Sequence, residues 1–179
     1  MEFFPQKFVP HSTTDLITVT YHKTHKVVTN VFQEKSYLLY QCGTEPPADE
    51  IESGNHHLVL SVPHTGGIAI TETPQIPPIE LLAKRSEIKA IFGNPKLVSS
   101  PCLTHMMSEE TVKSIHFPDE AWNNNTLLDM STADYLEEYP DAIVFVGPTG
   151  KKEGVRRWAV AASQERTAAA TFDWVRLHF

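Results

Sequence analysis

The sequence predicts an α/β fold with a mostly parallel sheet flanked by helices and an N-terminal antiparallel hairpin. Residues 16–42 alternate in polarity and are rich in β-branched and aromatic side chains, which favours paired antiparallel strands. From His56 onward, short apolar runs alternate with helix-like segments, a pattern typical of parallel or mixed sheets. The chain has 179 residues, of which 41% are hydrophobic, so it can bury a core as one domain. We therefore expect residues 1–179 to form a single α/β lobe.

Three regions follow one another in this lobe. The front hairpin region covers residues 12–44, and the loop after it, residues 44–55, is rich in prolines and acids and is expected to be exposed. In the region of alternating strands and helices, residues 56–162, the predicted strands are 58–62, 67–71, 96–100, 141–147 and 157–161, and helices begin near Pro78 and Ser131. The last region, residues 163–179, is predicted to be a helix capped by Ser163.

The charge and hydropathy of the chain argue against two classes of partner. The formal net charge is −7 and the basic residues are scattered, whereas nucleic-acid binding depends on clustered Lys and Arg. No apolar run approaches the roughly 20 residues that span a bilayer, so membrane insertion is not expected. The first residues also lack the features of a secretion signal.

Polar loops at the ends of predicted strands are the candidate ligand site. In open parallel sheets, ligands bind beyond the carboxyl ends of the strands. The candidate residues from three such loops are Thr71, Glu72, Thr73, Ser100, Thr104 and Thr149. Glu165 and Arg166 supply a fourth wall, and Arg166 is the first choice because a guanidinium pairs bidentately with carboxylates and hydroxamates. The alternative for each loop is that its polar side chains only stabilise turns and cap helices.

The sequence argues only weakly for catalysis or metal binding. It contains no Gly-x-Ser-x-Gly and no His-Glu-x-x-His, and Cys102 with His105 lacks an evident orienting acid. His22 and His25 flank a turn, and the adjacent His56 and His57 point to opposite faces of a strand. We therefore predict no enzyme activity, no metal bound by protein side chains and no cofactor. The ligand itself is a candidate iron chelate.

Cys42 and Cys102 are compatible with two free thiols or with one disulfide. The disulfide is favoured because each cysteine ends a strand-like run beside turn residues. Closing a loop of this length would constrain the unfolded chain by about 4 kcal/mol in the entropic model.

Three stretches together resemble a known family. They are Val19–Thr29 with Tyr37–Thr44, then Ile70–Thr73 continuing through Pro77 to Leu82, and finally Glu165-Arg166 with Phe172-Asp173-Trp174. Their order is similar to that in the N-terminal lobe of a family of solute-binding proteins, those that serve the ABC transporters of iron siderophores and cobalamin. The similarity is to a subgroup of this family that is also found in eukaryotes. The fold that this resemblance implies is one lobe of a class III periplasmic-binding-protein-like structure.

The resemblance implies non-catalytic capture of a ferric siderophore or another metal chelate for ABC-type uptake. It implies an extracellular or periplasmic location and an ABC permease as a partner. A secreted single-lobe protein-interaction module is the alternative, and a hydrolase is a weaker one.

The end of the chain carries apolar residues that one lobe does not readily cover. On the predicted helix, Phe172, Val175 and Phe179 share one face, which Trp174 and Leu177 widen. Family members continue into a second lobe at this point. We therefore expect a weak homodimer through this helix.

Overall fold

The computed structural model describes residues 4–5, 7–10, 14–116, 125–147, 156–161 and 164–176. These residues fall into two compact units, where the sequence led us to expect a single lobe. The first unit comprises Met1–Thr65 and Ala159–Phe179, and the second comprises Gly66–Trp158.

The first unit is built on a four-stranded mixed sheet with the order β1-β2-β3-β4. The strands β1 and β2 pair antiparallel, as do β2 and β3, which confirms the predicted front hairpin. The fourth strand instead joins β3 in parallel. The elements are β1 (Ile17–Tyr21), β2 (His25–Asn30), β3 (Lys35–Gln41), α1 (Ala48–Ser53), β4 (Leu58–Val62) and, at the end of the chain, α5 (Ala168–Arg176).

The second unit is an α/β unit with a mostly parallel five-stranded sheet, ordered β7-β6-β5-β8-β9. The central strand β5 pairs in parallel with both β6 and β8, and β6 pairs in parallel with β7. All four residues of β8 are buried, as expected for a strand covered on both faces. The elements are β5 (Ile68–Ile70), α2 (Ile76–Leu81), β6 (Ile88–Phe92), α3 (Pro101–Ser108), β7 (Lys113–Ile115), α4 (Asn125–Glu138), β8 (Ile143–Val146) and β9 (Arg157–Ala159). The last residue of β9, Ala159, already belongs to the first unit.

The predicted strand at residues 96–100 is wrong. A short 3-10 helix occupies Pro95–Leu97, where the Asn94 side chain accepts a hydrogen bond from the backbone N–H of Lys96. The helix α3 follows at once, because the Ser100 hydroxyl caps it and Pro101 occupies its first position. The strand in this part of the sheet is β6, whose buried residues are interrupted only by the exposed Lys89.

Other element boundaries also differ from the prediction, and α4 begins at Asn125 and not near Ser131. The loop at residues 44–55 contains the helix α1, which ends at Gly54 in the left-handed conformation. The last helix begins at Ala168 and not near Ser163, which lies outside the described residues. Its start follows from Thr167, whose hydroxyl accepts a hydrogen bond from the backbone N–H of Ala170 at 3.2 Å.

The two cysteines are free thiols in the structure, and both are exposed. Cys42 follows the last residue of β3 in the first unit, as the strand prediction implied. Cys102 is the second residue of α3 and does not end a strand, so the argument that favoured a disulfide at this position fails.

The backbone of Ala159 is fixed by two buried side chains of the front sheet. The backbone N–H of Ala159 donates to the Tyr37 hydroxyl at 3.1 Å, and its carbonyl accepts from the Asn30 amide at 3.2 Å. We call these three residues the Ala159 clamp. Both side chains are 0% exposed, so these hydrogen bonds do not compete with water.

A second buried tyrosine, Tyr135 of α4, has a different environment. Its ring stacks on Tyr139 at 4.7 Å and meets Phe92 edge-on at 5.6 Å. Its buried hydroxyl has no hydrogen-bond partner among the described residues. Burial raises the pKa of Tyr135 to about 12.

The two tyrosines should respond differently to removal of the hydroxyl. In Tyr37→Phe the backbone N–H of Ala159 loses its partner, and we expect a loss of about 1–3 kcal/mol in the free energy of unfolding. In Tyr135→Phe no hydrogen bond to a described residue is lost, so stability should be unchanged or higher. Urea unfolding of both variants measures this difference, and equal losses would contradict the assigned hydrogen bonds.

Candidate functional site

The first unit contains a cavity of about 210 Å³ that includes two of the predicted ligand residues. Three short segments form it: the residues before β1, the turn between β2 and β3, and the residues before α5. We call it the Arg166 cavity, and its lining residues are Asp15, Leu16, Phe32, Gln164, Glu165 and Arg166.

Local hydrogen bonds bring these segments together. The backbone N–H of Val31 donates to the Leu16 carbonyl at 2.9 Å, which places the β2–β3 turn beside the start of β1. In the same turn, the Asn30 side chain accepts from the backbone N–H of Gln33 at 3.0 Å, an Asx turn that leaves Phe32 49% exposed at the cavity.

Glu165 accepts two side-chain hydrogen bonds at the cavity. Its Oε1 atom accepts hydrogen bonds from the Thr14 hydroxyl at 2.6 Å and from the indole N–H of Trp174 at 2.9 Å. Trp174 is 0% exposed, so this partner is fixed by packing. Trp174 therefore adds no exposed surface to the homodimer contact that the sequence suggested. Arg166, next in the chain, is exposed.

The cavity has both polar and apolar lining residues. Asp15 and Glu165 contribute carboxylates and Arg166 a guanidinium, while Leu16 and Phe32 are apolar. The volume is below the ~300–1,000 Å³ of pockets that enclose drug-sized ligands. The space suits a small polar molecule or one functional group of a larger one.

In the second unit, Thr71 and Glu72 lie at the carboxyl edge of the parallel sheet, as predicted. The hydroxyl and the backbone N–H of Thr71 both donate to the Phe145 carbonyl, at 3.0 and 3.1 Å, and so connect β5 to β8. The Glu72 carboxylate lies against Gly147, where a side chain on residue 147 would collide with it. Burial raises the pKa of Glu72.

Gln75 is a polar residue at the same edge that the sequence analysis missed. Its side chain is buried, and neither its amide nitrogen nor its amide oxygen has a hydrogen-bond partner among the described residues. The sequence offers one signal, a polar residue directly before the apolar, proline-rich start of α2. Such a residue is also usual at an exposed helix start, so the signal is not specific.

The other predicted residues of the second unit serve local structure. Ser100 caps α3 and donates to Glu80 Oε1 at 2.7 Å, and the Thr104 hydroxyl donates to the Ser100 carbonyl at 3.0 Å. Thr73 begins the 3-10 helix Thr73–Gln75, and Thr149 lies outside the described residues. The capping alternative therefore accounts for Ser100 and Thr104.

The predicted residues thus fall into two groups. Glu165 and Arg166 meet in the cavity of the first unit, whereas the described candidates of the strand-end loops belong to the second unit. Cys102 and His105, the pair considered for hydrolysis, lie one turn apart on α3 and are both exposed.

Comparisons of the chain with protein-family models, curated proteins and solved structures gave no match. Within the described residues, no helix has the length and apolar composition needed to cross a bilayer.

The raised pKa of Glu72 predicts a specific dependence of stability on pH. Because the folded-state pKa lies above the unfolded value, its contribution to stability is present below the usual carboxyl pKa of 4.5 and is lost as pH rises through the raised pKa. Glu72→Gln removes this charge with little change of shape. We expect the variant to be at least as stable as the wild type at pH 7, and its stability to fall less between pH 4.5 and 7.

Urea unfolding across this pH range measures the effect, and Glu137→Gln, at an exposed position of α4, is the matched control. A Glu72→Gln variant that is less stable than the wild type at pH 7, with the control unchanged, would show that the ionised carboxylate stabilises the fold.

Proposed function

We propose that the chain binds a small polar ligand with an anionic group in the Arg166 cavity and does not convert it chemically. The observation that carries this proposal is the pairing of a fixed carboxylate, Glu165, with an exposed guanidinium, Arg166, on the wall of one cavity.

The two groups suit different parts of such a ligand. The Arg166 guanidinium offers a planar set of donors that matches a carboxylate or hydroxamate bidentately. The carboxylates of Glu165 and Asp15 accept hydrogen bonds from hydroxyl or amine groups, and they repel a second anionic group. Since Thr14 and Trp174 already fix Glu165, less conformational entropy is lost when the ligand binds.

The finer proposal is that the ligand is a ferric siderophore or another metal chelate, captured outside the cytoplasm for an ABC permease. It rests on the family resemblance of the sequence, and the mixed α/β architecture is compatible with it. In a chelate, carboxylate or hydroxamate groups surround the iron. One such group is small enough to fit the cavity beside Arg166. A lobe of a class III periplasmic-binding-protein-like fold belongs to the same proposal.

The test is a ligand screen by native mass spectrometry with a ferric trihydroxamate siderophore, ferric citrate and cyanocobalamin. Trp174 reports on the cavity through its hydrogen bond to Glu165, so titrations of a ligand that binds should change the tryptophan fluorescence. We expect Arg166→Gln to weaken binding at least about tenfold, because hydrogen bonds to charged groups contribute about 1.5–3 kcal/mol.

Lys96→Gln is the matched control, since it removes one positive charge at an exposed position of the second unit. Equal loss of binding in the two variants would indicate a general charge effect and contradict the proposed site. Hydrolysis of simple esters that disappears in Cys102→Ser would support the hydrolase alternative instead.

A further inference from the structure

Two histidines face each other at the tip of the β1–β2 hairpin. Tyr21 and Lys26 are the last paired residues, and the backbone N–H of His22 donates to the His25 carbonyl at 2.9 Å, which makes these histidines the next pair. Residues directly opposite in an antiparallel ladder have side chains on the same face. Accordingly, the two imidazoles stack with their centroids 4.3 Å apart.

Glu50 of α1 completes a group of three metal-binding side chains. Its Oε1 atom lies 3.5 Å from His25 Nε2, and one nitrogen from each histidine and one Glu50 oxygen all lie within 4.8 Å of one another. The sequence analysis missed this group because Glu50 is 25 positions from His25 and α1 was expected to be a loop.

His25 provides a second observation at this site. The residue is 7% exposed, and its Nε2 atom has no hydrogen-bond partner among the described residues. Its other ring nitrogen, Nδ1, lies 3.2 Å from the Thr24 hydroxyl. When Nδ1–H donates to that hydroxyl, the lone pair of Nε2 faces Glu50 Oε1 at 3.5 Å, and these two acceptors attract each other only with a proton or a metal ion between them.

We propose that His22, His25 and Glu50 bind a divalent transition-metal ion of the Zn²⁺ type. Two imidazoles and one carboxylate with a fourth position open to solvent form a usual ligand set for zinc. With bonds of about 2.0–2.2 Å, tetrahedral ligand atoms lie roughly 3.4 Å apart. His22 is exposed, so rotation of its side chain can bring its nitrogen closer to the other two ligands.

Neighbouring groups hold the ligands in the forms that bind metal. Burial and the nearby His22 lower the pKa of His25, which favours the neutral imidazole. A hydrogen bond from His56 lowers the pKa of Glu50, which favours the carboxylate.

His56 is the positioning residue of this site. Its Nε2 atom lies 3.0 Å from Glu50 Oε2, and its Nδ1 atom lies 2.8 Å from the Ser36 hydroxyl. If Nε2–H donates to the carboxylate and the hydroxyl donates to Nδ1, both contacts are satisfied at once. Glu50 Oε1 then remains available to the metal, the arrangement by which outer residues orient metal ligands.

The metal site shares no residue with the Arg166 cavity, so each proposal can fail without the other. The test is isothermal titration calorimetry of the full chain with zinc chloride, together with the visible spectrum of the Co²⁺ form. We expect one ion per chain and a Co²⁺ spectrum of low coordination number. His22→Gln and Glu50→Gln should each weaken binding more than tenfold, and His56→Gln about 10–100-fold, as for outer residues of metal sites.

His22 is preferred over His25 for substitution because it is exposed and its replacement does not disturb the core. His105→Gln, which removes an exposed histidine of the second unit, is the matched control and should bind as the wild type does. Unchanged affinity in His22→Gln and Glu50→Gln, or an equal loss in the His105 variant, would overturn the proposal.

Discussion

The Ala159 clamp is the constraint on which the first unit depends. The chain leaves this unit after Thr65 and returns at Ala159, so the unit is assembled from two segments that are distant in sequence. Asn30 and Tyr37 bind the carbonyl and the N–H of the first returning residue, in a buried setting where hydrogen bonds are strong and their loss is costly. This fixed return point precedes residues 164–166, which line the cavity.

The Arg166 cavity follows from that closure. One wall is the start of β1, another is the turn that Asn30 organises, and the third is the segment before α5. Asn30 therefore acts twice, because its amide nitrogen fixes Ala159 while its amide oxygen accepts from the backbone of the turn that carries Phe32. Glu165 in turn joins the residue before Asp15 to the buried Trp174. Fold and candidate site share these few polar contacts, and a site supported in this way loses little freedom when a ligand binds.

Sequence reasoning was most accurate where a pattern is local and periodic. The alternation of residues 16–42 predicted three antiparallel strands, and the apolar run at 141–147 predicted β8. It failed at residues 96–100, where a strand was expected and the short 3-10 helix Pro95–Leu97 is found instead. Glu165 and Arg166 were identified from a motif, but their neighbours Asp15 and Phe32 come from segments about 150 and 130 positions away. No periodicity encodes such contacts, and the same is true of Glu50 beside the hairpin histidines.

The central claim is that the Arg166 cavity is where a ligand with an anionic group binds. The most direct measurement is a crystal structure of the chain grown with a ferric trihydroxamate siderophore, in which anomalous scattering locates the iron. The account predicts an iron peak in the first unit, with a hydroxamate oxygen within hydrogen-bonding distance of the Arg166 guanidinium. An iron peak elsewhere on the chain, with the cavity filled by water alone, would contradict it.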